Sequence, residues 1–364
     1  MFLIRKNSFD VVTLHRPQNL NSLAQSLRHA LRTMDNKIYF SVATELYSDL
    51  IQPIEKYLAG AKRLVIIPDG TLYYLPFEVL LSPDSHQAFK DQRRIDFRHL
   101  PYLLNRFEIS YALSGTIFYE TQSSSEINPG GSLSFAGFAP VSRESSASAA
   151  FLEKKHFSRV GYAGLKSLTF DGHQFSSLPY SGEEVRSIAS AFKSSGKIGT
   201  YVVGSNATKE EFKVYAPGHS IIHIATHGLI DEDHPGLSAL LFAPSLDSTQ
   251  GEDALLYACE TYNLRLNADL VTLSSCESGV GRLVRGEGLM AMTRGFFYAG
   301  ARNLICSLWK VFDKHANQLM RAFYRHVLEG EGFSCALRAA KLEMIKNEAT
   351  AHPFKWAGFE LIGE

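Results

Sequence analysis

Apolar and polar positions alternate between two periods along this chain, and the changes of period outline its elements. Leu20, Leu23, Leu27, Leu31 and Met34 recur at helical spacing, as do Val42, Leu46, Leu50, Ile54 and Leu58. Gly60 is a plausible stop for the second of these helices. Short apolar runs read as strands: Phe9 to Leu14, Arg63 to Ile67 closed by the Pro68-Asp69-Gly70 turn, Phe107 to Leu113, Leu133 to Ala139 and Ile198 to Val203. A helix over Gly182 to Phe192 and a short one that Thr208 would cap complete the middle of the chain. Further on, Ile221-Ile222-His223-Ile224-Ala225-Thr226-His227-Gly228 and Ala268 to Leu273, continuing Ser274-Ser275-Cys276-Glu277-Ser278-Gly279, both read as buried strands that stop at a glycine turn. A helix from about Gly288 to Tyr298, a third buried strand over Asn303 to Leu308, and helices over Ala316 to Leu328 and Cys335 to Asn347 are expected to finish the regular structure.

Strands alternating with helices predict an α/β fold, with a mainly parallel central sheet covered on both faces. Ligands of such sheets sit at the carboxyl ends of the strands. That is where His227 and Cys276 fall, so two neighbouring strands would bring an imidazole and a thiol to one edge. Residues 121–131 lack periodicity and read as a linker, and Ser142 to Ala150 is a second small-residue stretch.

Composition narrows the function without naming it. The 364 residues are 45% hydrophobic and 20% charged, and 37 Lys plus Arg balance 37 Asp plus Glu. There is no basic excess for nucleic acid or an anionic membrane. No apolar run reaches the roughly 18 residues of a spanning helix, and the start turns charged too soon for a signal peptide. A cytoplasmic protein is the expectation. The 4 cysteines, at 259, 276, 306 and 335, form no C-x-x-C pair and are expected to be reduced.

Candidate chemistry converges on His227 and Cys276. His223, His227, Asp231 and His234 have a spacing that would suit a metal on a helix, but β-branched neighbours and Gly228 oppose a helix. On a strand His223 and His227 lie ~13 Å apart, too far for one ion. No metal is expected. His223 is read as a hydrogen-bonded core residue and His227 as the exposed one. Gly228, lacking a Cβ, lets its N–H approach a developing oxyanion. Tyr257-Ala258-Cys259-Glu260 resembles the Cys276 segment, but only Cys276 follows a buried strand and precedes a glycine turn. No G-x-S-x-G, P-loop or H-E-x-x-H pattern is present. The glycines at 279, 281, 286 and 288, with Arg282, Arg285 and Glu287, read either as a loop bordering a substrate groove or as a solvated turn.

A strand ending His-Gly, followed some 50 residues later by a strand ending in Cys, resembles the caspase–separase clan, and more specifically the CHAT domain, a caspase-like module of bacteria often attached to TPR repeats. The likeness extends through Leu64 to Gly70, Arg285-Gly286-Glu287-Gly288, Ala299-Gly300-Ala301-Arg302, Ser307 to Val311 and the tail from His352 to Phe359. It implies a caspase-like three-layer α/β/α fold with two lobes: 1–125 a degenerate, non-catalytic copy and 126–364 the catalytic one. It implies a cysteine endopeptidase with Cys276 as nucleophile, His227 as general base, and the N–H groups of Gly228 and Cys276 as oxyanion hole. No cofactor is needed. Glu277, Ser307, Trp309 and Asp313 are candidates for the substrate pocket. An acidic pocket would favour a basic P1 residue and an aromatic wall at Trp309 would favour Leu or Met; Trp309 as ordinary core is the alternative. Partners would be a protein substrate and a TPR-containing or other regulatory protein, in a defence or signalling role. Ser275, Lys310 and Phe312-Asp313 depart from the family's usual residues. A silent interaction scaffold, or a protease latent until a partner reorders its loops, are the competing readings.

Overall fold

The computed structural model describes every residue except 15–18, 84–94, 124–132, 141–158, 163–164, 171–172, 177, 232, 246–253, 275 and 278–286; for 122–123, 159–162, 165–170, 173–176, 276–277 and 287–291 it describes the backbone. The strands are β1 (Phe2–Arg5), β2 (Ser8–Val11), β3 (Arg63–Ile66), β4 (Glu108–Tyr111), β5 (Ser134–Ala139), β6 (Arg159–Tyr162), β7 (Leu165–Phe170), β8 (His173–Ser176), β9 (Ile198–Val203), β10 (Ile221–Ile224), β11 (His227–Leu229), β12 (Ala239–Leu241), β13 (Leu255–Tyr257), β14 (Leu270–Leu273), β15 (Cys276–Glu277), β16 (Leu304–Ser307) and β17 (Phe359–Ile362). The helices are α1 (Leu20–Thr33), α2 (Asn36–Leu50), α3 (Leu103–Arg106), α4 (Gly115–Ser123), α5 (Ser181–Ser194), α6 (Lys209–Tyr215), α7 (Ala258–Thr261), α8 (Glu287–Tyr298), α9 (Asp313–Leu328) and α10 (Phe333–Lys346).

The core is an 8-stranded sheet in the order β3-β4-β17-β16-β14-β10-β5-β9. β16 through β9 run parallel to one another, and β3, β4 and β17 form a second parallel block. The blocks meet at an antiparallel seam, where β16 pairs with β17. Within the larger block the strands stand in the order 2-1-3-4-5 of their own succession, the doubly wound arrangement whose crevice opens at the carboxyl ends. The central strands are apolar on both faces because helices cover both. Phe135 packs against Phe192 of α5 and Tyr324 of α9, with ring centroids at 5.2 and 5.4 Å. Phe138, on the other face of the same strand, meets Phe212 of α6 at 5.2 Å. The mixed α/β, three-layer, mainly parallel architecture is therefore the one expected.

Two expectations are corrected. The run from Val42 to Leu58 is not one helix: α2 ends at Leu50, and Gln52–Tyr57 continues as a 3-10 helix opened by Pro53. Proline cannot supply the backbone donor that an unbroken α-helix needs there. Regular structure also does not end with α10. The tail forms β17, whose residues are all buried and which carries the seam. Strands on both sides of residue 125 share this one sheet, and one apolar core runs from Leu23 to Ile362. Of the expected linker at 121–131, residues 121–123 end helix α4, and of the expected glycine loop, Glu287 and Gly288 open helix α8; 124–131, the stretch 142–150 and the glycine-bearing segment through position 286 lie outside the described residues. Among the described residues no helix is long and apolar enough to cross a membrane.

Candidate active site at the carboxyl ends of β10 and β14

β10 is Ile-Ile-His-Ile and β14 is Leu-Val-Thr-Leu, and all eight side chains are buried. The strands pair in parallel, Ile221 with Leu270 through Ile224 with Leu273. Both then leave the main sheet. The hydroxyl of Thr226 donates to the carbonyl of Leu241 in β12, turning the chain from β10 toward a second, smaller sheet ordered β13-β12-β11-β15. There β11 pairs with β12 in antiparallel fashion and with β15 in parallel. His227 is the register partner of Cys276, and Gly228 that of Glu277. The sequence offset of this pairing equals that of His223 with Thr272, so one register runs through the break from the large sheet into the small one. Neighbouring strands stand ~4.8 Å apart, which brings the two backbones within side-chain reach of each other.

His227 is 1% exposed, against the expectation that it is the exposed histidine. It sits in a central strand of the small sheet, flanked by β12 and β15, and this layer was not foreseen from the sequence. His223 is the core residue expected: its Nε2 lies 2.7 Å from Oε1 of Glu184 on α5, and its Nδ1 lies 3.1 Å from the hydroxyl of Tyr324 on α9. Of the other members of the suggested metal quartet, His234 lies 3.8 Å from Asp231. Oδ1 of Asp231 accepts the backbone N–H groups of Asp233 and His234 in a tight turn, and His234 is exposed.

Cys259, whose segment resembles that of Cys276, is an exposed free thiol in α7. The glutamate that follows it has a structural use: Glu260 accepts the Tyr257 N–H at 3.0 Å and pairs with Lys209 at 3.1 Å. Cys306 is buried in β16, where burial and the neighbouring Glu360 carboxylate push its thiol far up. The Cys335 thiol is pushed up to about 11, chiefly by burial and by its hydrogen bond with Glu331.

The pocket candidates divide. Ser307 ends β16 and is buried. Asp313 opens α9 and is half-buried; its Oδ2 accepts the Tyr180 N–H at 2.6 Å. Burial, reinforced by the Glu184 and Glu183 carboxylates, pushes Asp313 up to about 6. Trp309 is 0% exposed, and its indole N–H donates to the Phe354 carbonyl at 3.1 Å. It therefore stands as ordinary core, the alternative reading for this residue. Glu277 is described by its backbone, beside Gly228.

Sequence reasoning passed over Glu184, Tyr324 and Thr272. A signal for one of them existed. Thr272 is the only polar residue within Leu270–Leu273 and occupies the same third position as His223 in Ile221–Ile224. Glu184 and Tyr324 lie on amphipathic helices and carry no such mark.

A model of the CHAT domain family matches residues 41–364. The curated relatives include Tetratricopeptide repeat protein 28 of Mus musculus and of Homo sapiens, 27% and 28% identical over 87% of this chain. The chain spans 13% of the length of each. Among solved structures, separase in the Saccharomyces cerevisiae separase–securin complex aligns over 89% of this chain and 17% of its own, at 13% identity and a TM-score of 0.48. The Arg-specific cysteine proteinase gingipain R aligns over 87% of this chain and 68% of its own, at 11% identity and a TM-score of 0.46.

Proposed function

The chain belongs to the CHAT domain family, and from that premise we propose that it is a cysteine endopeptidase working through Cys276 and His227. The observation that carries this reading is the backbone register of His227 with Cys276 on adjacent parallel strands, beyond the carboxyl ends of β10 and β14. At that separation an imidazole can take the proton of a thiol and raise its thiolate fraction. The thiolate then attacks the scissile carbonyl carbon. The resulting oxyanion is met by the N–H groups of Gly228 and Cys276, a contribution on the order of 10²–10³-fold per donor. Collapse of the tetrahedral intermediate expels the amine, which leaves with the proton from His227. Water, deprotonated by the same imidazole, hydrolyses the thioester and frees the thiol. Proton transfer of this kind adds about 10²–10⁴-fold.

Substrate choice is assigned to Glu277, Ser307 and Asp313, of which the two carboxyl groups would favour a basic P1 residue. In this reading residues 1–125 form the non-catalytic lobe and 126–364 the catalytic one. The protein works in the cytoplasm on a protein substrate, under the control of a TPR-containing or other regulatory protein. The relatives' name supports that type of regulator.

The test is incubation with proteins of the same cell, wild type beside Cys276→Ala, His227→Ala and Cys259→Ala. New fragments are expected from wild type and Cys259→Ala and from neither of the other two. Loss of cleavage in Cys259→Ala alone would reverse the assignment. One observation favours a latent form of the enzyme: His227 is 1% exposed, so a substrate reaches it only after neighbouring segments move. A lag in cleavage that a partner shortens is then expected; full activity of the isolated chain without a lag would dispose of latency.

A further inference from the structure

Two strands that are apolar on both faces have little in their side-chain pattern to fix how one slides against the other. A slip of one residue exchanges the two faces of a strand; where one face is wet this drives apolar side chains into water, and where both faces are buried it does not. β10 and β14 are of the second kind, with Ile221, Ile222 and Ile224 facing Leu270, Val271 and Leu273. Each strand carries a single polar residue, and these two are register partners, His223 with Thr272.

They are joined by a hydroxyl from above. Tyr324 on α9 places its oxygen 3.1 Å from Nδ1 of His223 and 2.8 Å from Oγ1 of Thr272. On the far side of the imidazole, Nε2 meets Glu184 of α5 at 2.7 Å. We infer that this chain, Glu184–His223–Tyr324–Thr272, is a register lock that positions His227 against Cys276, making Tyr324 and Thr272 positioning residues of the site. The inference rests on the proposed roles of those two residues.

The chain can be satisfied throughout. With the proton on Nε2 of His223, that N–H donates to the Glu184 carboxylate, Tyr324 donates to Nδ1, and Thr272 donates to the Tyr324 oxygen. All four side chains are buried. Phe135 and Phe192 close over the tyrosine at centroid distances of 5.4 and 6.1 Å. In so apolar a box no water replaces a lost partner, so each hydrogen bond is costly to leave unmade. A slip of one residue would break the Tyr324 bridge and leave both polar partners unpaired. The same slip, carried four residues further by the shared offset, would move Cys276 ~3.3 Å along from His227 and turn it to the opposite face. The lock thus acts ~13 Å from the reacting atoms, through two strands and without touching substrate.

The experiment uses Tyr324→Phe and Thr272→Val, with Thr272→Ser as the conservative variant. Tyr39→Phe serves as control, because Tyr39 is another buried tyrosine whose hydroxyl donates to a carbonyl, that of Val79 at 2.9 Å. The first readout is the pH profile of iodoacetamide alkylation at Cys276. The second is amide hydrogen exchange at residues 226–229 and 270–277. In Tyr324→Phe and Thr272→Val, with circular dichroism unchanged, alkylation at pH 6.5 should fall about tenfold and its midpoint should move toward the roughly 8.5 of a free thiol. Exchange at those amides should quicken by about tenfold, Thr272→Ser should restore both, and Tyr39→Phe should alter neither. Thr272→Val removes only the last link, so it decides the matter if Tyr324→Phe does not fold. Unchanged profiles and exchange in the folded variants, or no recovery with Thr272→Ser, would overturn the lock. Wild-type Cys276 that alkylates no faster than Cys259 would instead sink the catalytic pairing, and the exchange measurement would still decide the lock by itself.

Discussion

Replacing Glu360 by glutamine should flatten the pH dependence of this protein's stability on the neutral side. Glu360 lies on β17, the seam strand, directly across from Cys306 of β16, and is 3% exposed. Its Oε1 accepts no hydrogen bond among the described residues. Burial, and after it the neighbouring Glu78 carboxylate, push its pKa well above the ordinary carboxylate range; the Lys341 ammonium and the Tyr111 hydroxyl pull the other way and lose. A raised value means that the folded chain holds this proton more tightly than the unfolded chain does. The stability it contributes is fully present below the unfolded value of about 4.3 and is lost as pH rises toward the folded one. Inside that window each pH unit removes ~1.4 kcal/mol, against a typical total stability of about 5–15 kcal/mol. Glutamine keeps the shape and stays neutral, so Glu360→Gln should lose none of this. Urea unfolding of both proteins from pH 4.5 to 8, at constant ionic strength, measures it. The two should be nearly equally stable at pH 4.5, with the variant pulling ahead by up to ~1.4 kcal/mol per unit above that. Parallel profiles, or a variant weaker by a constant amount at every pH, would refute the reasoning.

Two further substitutions probe what surrounds the seam and the site. Lys341→Met removes one partner of an ion pair 2.6 Å long whose two side chains are each 1% exposed, leaving Glu78 with the Tyr111 hydroxyl at 2.6 Å. A loss of ~3–5 kcal/mol is expected in thermal or urea unfolding, most of it recovered by adding Glu78→Gln; a loss below ~1 kcal/mol would refute the pairing as described. Gly300, between α8 and β16, has φ +105, and a Cβ there would clash with the Leu266 carbonyl oxygen. Gly300→Ala should therefore cost about 2–6 kcal/mol, from backbone strain plus overpacking, and a melting temperature within a degree of wild type would contradict it.

Much of the site could be read along the chain because buried parallel strands write themselves plainly. Ile221–Ile224 and Leu270–Leu273 are short and apolar, so the residues just beyond their carboxyl ends stand out without coordinates; the glycine turn expected after the first is instead part of β11, where Gly228 pairs with Leu240 and Glu277. The same logic sets Cys276 apart from Cys259 as the proposed nucleophile. What failed was everything set by layers placed over those strands. β12 and β15 are three and two residues long, too short to show a period, yet they flank β11 on its two sides, and His227 in β11 is buried. β17 was missed because the Phe359–Ile362 run follows a tail rich in turns, and only its pairing with β16 and β4 makes it a strand.

The amino-acid order alone determined that Ile221–Ile224 and Leu270–Leu273 become central strands, and that a histidine and a cysteine each follow three residues after one of them, because burial on both faces demands nearly unbroken apolar runs. It did not determine which residues of one strand stand beside which residues of the other. That was decided by tertiary structure, where α5 and α9 lower Glu184 and Tyr324 onto His223 and Thr272. Apolar side chains are nearly interchangeable partners, whereas a buried hydrogen bond is satisfied in only one alignment.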